Sequence, residues 1–243
     1  MTDKKLYIFG DSFAAENMPN VCADVLAIMQ PLLSYHTIIR DSELFSLVMS
    51  YAVGGSDFLS QYLLFLKYYN ENDEFLFFET SPDRIQTKNS RFFNYAMAVK
   101  DTSLYIGTLP SAAELMQVKC YYEKFYDHEF YEFISDTLVN RIARLENVTV
   151  IPSFDTSTIK RPNIKETMCI VFYKESIVFN KYEANKKKYI DGRRNHMTET
   201  NHKIFADEIL GYYTNKQNKI NLTNFVEPIS EPFEKYFKEK HNA

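Results

Sequence analysis

The sequence predicts an α/β protein built on a parallel sheet of about five strands with helices on both faces. Three observations carry that expectation. Short apolar runs rich in Phe, Tyr, Ile and Val alternate with longer segments whose apolar residues recur at helical spacing. Such alternation argues for parallel strands joined by right-handed crossovers. The first two runs end in glycine followed by Asp or Ser, residues that turn the chain and cap a helix. The chain of 243 residues is 45% hydrophobic and 25% charged, enough apolar side chain to fill a sizeable core.

The elements follow in order. Leu6–Phe9 is short, apolar and aromatic, and reads as a buried first strand. Residues near Asn20–Leu33, rich in Ala, Leu and Met, read as a helix. Phe45–Val53 reads as a second strand ending at Gly54-Gly55. Asp57 to Tyr69 reads as a helix with a broad apolar face, capped by Ser56 or Asp57. Glu74–Glu79 contains Phe-Leu-Phe-Phe and reads as strand three. From Glu132 to Leu145, Ile134, Leu138, Ile142 and Leu145 share one helical face. Val148–Ile151 is a fourth strand stopped by Pro152, and Cys169–Tyr173 is a candidate fifth. Thr198–Leu210 closes the pattern as a helix with Ile204, Phe205 and Ile209 inward. Residues 1–213 are therefore expected to form one domain, with insertions near 85–130 and 155–190 over the carboxyl edge of the sheet. Residues 214–243, rich in Lys and Asn, read as a C-terminal tail along the surface.

Composition excludes several classes. A net charge of −4 gives no bulk attraction to nucleic acid. The three cysteines, Cys22, Cys120 and Cys169, are odd in number and widely spaced. They read as buried thiols in a reducing compartment, not as a disulfide framework or a metal site. Met-Thr-Asp-Lys-Lys leads directly into the first strand and leaves no room for a signal peptide. No stretch is long enough to span a membrane, so the expected location is the cytoplasm. No phosphate-binding loop, GxGxxG, HExxH or paired CxxC occurs, and neither a cofactor nor a metal is expected. The expected partner is a small molecule; oligomeric state is not readable.

The chemistry concentrates in a few segments. Gly10 permits a tight exit from strand one, and Asp11 and Ser12 can cap a following helix. Ser12 is then expected at the carboxyl end of a first strand, the edge where open α/β sheets bind ligands. The plain alternative is a capped helix start without chemistry. A serine nucleophile also needs a base, a group that orients the base, and donors for the oxyanion. There are five histidines, and His196 lies just before a helix that Thr198 can cap. Gly192 supplies a flexible point between Asp191 and His196.

Gly10-Asp11-Ser12-Phe13 resembles the first block of the GDSL/SGNH hydrolase family, whose nucleophile is that serine. Tyr51-Ala-Val-Gly-Gly-Ser-Asp57 is similar to the family's second block, and the His196 segment to its last. The resemblance implies a flavodoxin-like three-layer fold, with Ser12 as nucleophile and His196 as base. It also implies the Ser12 and Gly55 N–H groups as oxyanion donors, with Gly54 beside them. Two positions depart from the family. Its aspartate stands three residues before the histidine, where this chain has Arg193. Asp191, five before, is the candidate; another carboxylate or a Ser-His dyad are the alternatives. The family's third-block asparagine is missing after strand three, where Thr80 and Ser81 offer hydroxyl donors instead. Asp11, Arg84 and Arg193 are candidate substrate-binding groups. Arg193 belongs to a basic stretch with Lys186–Lys188 and Arg194, which reads either as an anion-attracting patch or as a solvated loop.

The expected activity is ester hydrolysis through an acyl-serine, with acetyl or other acyl groups on a carbohydrate as the suggested substrate. Two alternatives stand beside it: an SGNH-fold binding or structural protein with little catalysis, and an acyltransferase using the same serine.

Overall fold

The computed structural model describes residues 3–11, 14, 34–53, 56–80, 84–86, 92–94, 111–151, 164–165, 199–216 and 220–221. The expected helix near 20–33, the candidate strand at Cys169–Tyr173 and most of the 155–190 insertion lie outside the described residues. The chain divides into two compact units. One comprises Leu6–Cys22 and Met49–Ile151; the other comprises Met1–Lys5, Ala23–Val48 and Pro152–Ala243.

The main sheet contains β1 (Lys5–Phe9), β2 (Leu47–Ser50), β3 (Glu74–Phe78) and β6 (Val148–Ile151), in the order β2-β1-β3-β6. It is a parallel sheet, and the fold is α/β of the flavodoxin-like kind. Four strands are seen among the described residues, against about five expected. The register pairs Leu6 with Glu74 and Phe9 with Phe77. On the far side of β3, Phe75 pairs with Val148 and Phe78 with Ile151. The strands are apolar on successive residues because both sheet faces are buried. Leu6, Ile8, Leu76 and Phe78 are fully enclosed on one face, Phe9, Phe75 and Phe77 on the other.

The second of these faces forms the core of the first unit. Tyr7, Phe9, Phe75, Phe77, Val148 and Val150 pack against helices α2 (Phe58–Tyr68) and α4 (His128–Ile142). Phe65 of α2 stands edge-on to Phe9, Phe75 and Phe77, with ring centroids 5.8, 5.5 and 6.0 Å away. That is the geometry in which a ring's positive edge meets its neighbour's negative face. Asp57 caps α2, its carboxylate accepting from the Ser60 N–H at 2.9 Å, and Asp127 caps α4 through the Phe130 N–H at 3.1 Å. At the amino end of β3, the Asn147 amide donates to the carbonyls of Asn70 and Asp73, both at 2.8 Å.

Among its described residues the 85–130 span carries a strand pair and a helix ahead of α4. Strands β4 (Arg84–Gln86) and β5 (Phe92–Asn94) pair antiparallel. Helix α3 (Ala112–Lys124) buries only Val118 and Tyr122 and starts at a Ser111 cap with Glu114 in the first turn. Cys120, the one cysteine among the described residues, is a half-buried free thiol.

In the second unit, α1 (Tyr35–Asp41) packs on α5 (Glu199–Tyr213). Tyr35 and Ile39 are fully buried, with Phe205 edge-on to Tyr35 at 4.9 Å. Helix α1 is absent from the sequence-based expectation. Phe205 and Ile209 of α5 are buried as expected, and Ala206 joins them. Two-residue strands β7 (Ile164–Lys165) and β8 (Ile220–Asn221) pair in parallel, so the span read as a tail contributes a buried Ile220.

One carboxylate on α4 is placed against its own charge. Burial first, and Glu132 one turn earlier second, raise the Asp136 carboxyl above the ordinary aspartate range. The native state therefore holds this proton more tightly than the unfolded chain does. The associated stability is complete below the unfolded value and is lost as pH rises through the raised folded value. Asp136→Asn should stabilise the protein at pH 7 by about 0.2–0.5 kcal/mol, the scale of a screened like-charge pair on a helix. Thermal melts at pH 7 and pH 3 check this: the advantage should be present at the first and gone at the second.

Candidate active site

The exit from β1 is held on three sides. Gly10 has φ +142°, a conformation that L side chains rarely adopt. A Cβ there would lie 2.6 Å from the Phe78 Cβ and 3.1 Å from both the Phe78 carbonyl and the Ala14 Cβ. The Gly10 N–H donates to Gln61 Oε1 at 3.0 Å. Its carbonyl accepts from Ser56 Oγ at 2.9 Å and from the Val53 N–H at 3.1 Å. One step on, Asp11 is fully buried, and its carboxylate is ion-paired with Nη1 of Arg84 at the start of β4. The Ala14 N–H closes the turn onto the Asp11 carbonyl at 3.1 Å, and Ser50 Oγ donates to the Ala14 carbonyl at 3.2 Å.

The strand order makes this edge the place for a ligand. From β1 the chain goes to β2 on one side, then crosses to β3 on the other. The β1 and β3 exits therefore flank the topological switch point, where an open sheet leaves a crevice at its carboxyl edge. Buried polar side chains of this unit gather there. Asp11 follows β1, Ser56, Asp57 and Gln61 lie in the β2–α2 segment, and Glu79 and Thr80 follow β3. Thr80 is 2% exposed, and among the described residues its Oγ1 has no hydrogen-bond partner. Elsewhere on the β2 exit, Tyr51 stacks on Tyr68 at 4.3 Å. Burial, and next a hydrogen bond with Tyr68, raise the Tyr51 phenol above its ordinary value.

Of the residues singled out in the sequence, Asp11, Thr80 and Arg84 are described. Asp11 and Arg84 meet each other, and Thr80 lies at the next strand's exit. Ser12, Gly54, Gly55, Ser81, Asp191, Arg193 and His196 lie outside the described residues. Asn72-Asp73 stands at the amino end of β3, away from this edge, tied into the Asn70 turn. His202 is buried in the second unit, where its Nδ1 accepts from the Tyr35 N–H at 3.5 Å. His128 is exposed at the start of α4, with Nε2 3.9 Å from Glu132. Among the described residues no group of His, Cys, Asp or Glu could hold a metal, and no helix is long and apolar enough to cross a membrane.

Sequence reasoning missed Gln61. The signal was there: the buried stripe of α2 runs Phe58, Gln61, Tyr62, Phe65, and a lone amide on an apolar stripe needs a buried partner. Ser56 was read as a possible helix cap; Asp57 takes the cap, and the Ser56 hydroxyl holds the Gly10 carbonyl instead.

Fold and edge together define an α/β protein with a polar carboxyl edge at its switch point. No family model matches the chain, and no curated protein matches it. Among solved structures it is similar to an acetyl xylan esterase, AlAXEase, at 13% identity and a TM-score of 0.33, covering 98% of this chain and 83% of that one.

Proposed function

We propose that the chain is a serine esterase. Ser12 is the nucleophile, His196 its base, and Asp191 the carboxylate that orients His196. The Ser12 hydroxyl proton passes to His196 as Oγ bonds to the ester carbonyl carbon, and the carbonyl π pair moves onto oxygen. N–H groups of Ser12 and Gly55, with a hydroxyl from Thr80 or Ser81, stabilise that oxyanion. Collapse breaks the bond to the leaving alcohol, which takes the proton from His196, and water then repeats the sequence on the acyl-enzyme. The suggested substrates are acetyl or other acyl esters of a carbohydrate, which the polar, tyrosine-rich span at 85–130 suits. Asp11 and Arg84 serve this site by anchoring the turn, and Arg193 is left as the candidate for substrate contact.

The observation that carries the reading is the β1 exit. A glycine in a conformation L side chains rarely adopt, without room for a side chain and hydrogen-bonded with Gln61, Ser56 and Val53, leads into Asp11 at the switch point. A backbone conformation kept for glycine persists where surrounding structure over-determines it, and such positions cluster where chemistry is done.

A fluorophosphonate probe tests it. The native chain should be labelled on the peptide containing Ser12, and His196→Ala should suppress labelling. A folded native chain that takes no label leaves the binding-protein reading. A labelled chain that releases free acid only slowly, but passes its acyl group to an added sugar, is an acyltransferase.

A further inference from the structure

We infer that the β4–β5 hairpin and α3 form a cap at the mouth of the switch-point crevice, and that the buried Asp11–Arg84 ion pair is the latch that holds it closed. The device is independent of the reaction done at the crevice. A small apolar cluster carries the cap, and it shares no residue with the core between the sheet, α2 and α4. It buries only Val118 and Tyr122 of α3, with Ile85 of β4, Leu115, Tyr121 and Tyr126 packed around them. Ile85 thus ties the hairpin to α3. Its neighbour Arg84 reaches the other way, to the Asp11 carboxylate at the β1 exit. The far end of the cap rides on α4. The Tyr131 hydroxyl shares a 2.5 Å hydrogen bond with that of Tyr121, and its ring stacks on Tyr126 at 4.9 Å. Helix α4 buries Val139 and Ile142 in the core and no residue before them. Its first turns serve the small cluster and its last turns the large one.

The energetics suit a contact that makes and breaks. A cluster with two buried side chains opens at a free energy well below that of unfolding the sheet. The ion pair sits in a dry place, the Asp11 side chain 0% exposed and that of Arg84 14%. Closing it strips water from two charges, and their attraction roughly repays that loss. Lifting the hairpin returns water to both, so the open state strands neither charge. Deleting one partner is different, because the closed state then buries the other charge without it. The latch thus keeps closed and open near balance, and a ligand that touches the cap shifts the population.

Hydrogen exchange of the full chain tests the latch. Arg84→Met keeps an apolar stem and removes the charge. Exchange should speed up by roughly tenfold or more in peptides covering α3 and the hairpin, with β3 and β6 as protected as in the native chain. Arg84→Lys should restore most of the protection. Should Arg84→Met fail to fold, Asp11→Asn combined with Arg84→Met removes both charges and should show the same local pattern. Unchanged exchange over the cap overturns the inference. So does a rise shared equally by β3 and β6, which would make the pair a support of the whole unit. The esterase reading has its own test, and a chain that takes no label at Ser12 loses that reading while the exchange result stands. In a labelled chain, Arg84→Met should also raise kcat/KM for p-nitrophenyl octanoate over that for p-nitrophenyl acetate by roughly threefold or more, because an open cap admits the longer acyl chain. A ratio that does not move would take the cap away from the mouth of the crevice and overturn the inference.

Discussion

Ser12→Ala should reduce p-nitrophenyl acetate turnover by roughly a thousandfold or more, to the residue left by oxyanion donors and substrate binding alone. The alanine removes the only atom that forms the covalent bond, so no neighbouring group compensates. The same substitution should scarcely change stability. The sequence offers Ser12 as a candidate helix cap, and losing a cap costs about 1 kcal/mol. Steady-state rates of the purified chains, with denaturant melts alongside, check both halves. A variant as fast as the native chain would remove Ser12 from the mechanism. A variant that is slow only because it is unfolded would appear in the melts.

Gly10→Ala should cost far more stability, roughly 2–6 kcal/mol, as backbone strain and overpacking each contribute about 1–3. The strain arises because φ +142° is open to glycine and costly for alanine. The overpacking arises because the new methyl would meet the Phe78 Cβ at 2.6 Å, inside any real contact distance. Phe78 is fully buried in β3, paired with Ile151, and has little room to yield. Against a typical total stability of about 5–15 kcal/mol, that loss brings the chain close to unfolding at body temperature. Urea titration measures it. A midpoint within experimental error of the native one would mean that the turn relaxes at no cost, and the β1 exit would lose its claim to be over-determined.

Much of the sheet-bearing unit is readable in the sequence because its signals are local. Leu6–Phe9, Glu74–Glu79 and Val148–Ile151 are short apolar runs, and a parallel strand buried on both faces looks like that wherever it occurs. The helix expected at Asp57–Tyr69 appears as Phe58–Tyr68 for a similar reason, with Asp57 as its cap. The helix expected from Glu132 starts earlier, at His128, because the Asp127 carboxylate caps it there. Strand two is shorter than its apolar run: Leu47–Ser50 pairs, while Tyr51 and Val53 continue the bonding to Ile8 and Gly10 without strand geometry.

What escaped the sequence is what packing creates. Tyr35-His-Thr-Ile-Ile39 is aromatic and β-branched, a poor helix former by propensity. It is nonetheless helical, because Tyr35 and Ile39 bury against α5, more than 150 residues away along the chain. Strands β4 and β5 are three residues each, too short for any periodicity to announce them.

The sequence by itself determined the α/β class, the principal strands and helices around the sheet, and the residue types expected at the strand exits, because periodicity, caps and turn chemistry act over a few neighbouring residues. Only the tertiary structure decided the order β2-β1-β3-β6 and hence the switch point. It alone decided that Asp11 is neutralised by Arg84 and that Gln61 and Ser56 grip Gly10. Among the described residues it also left the Thr80 hydroxyl without a partner. Each of those facts joins segments far apart in the chain. Whether a buried polar atom finds a partner is settled by the packed whole, not by its neighbours in sequence.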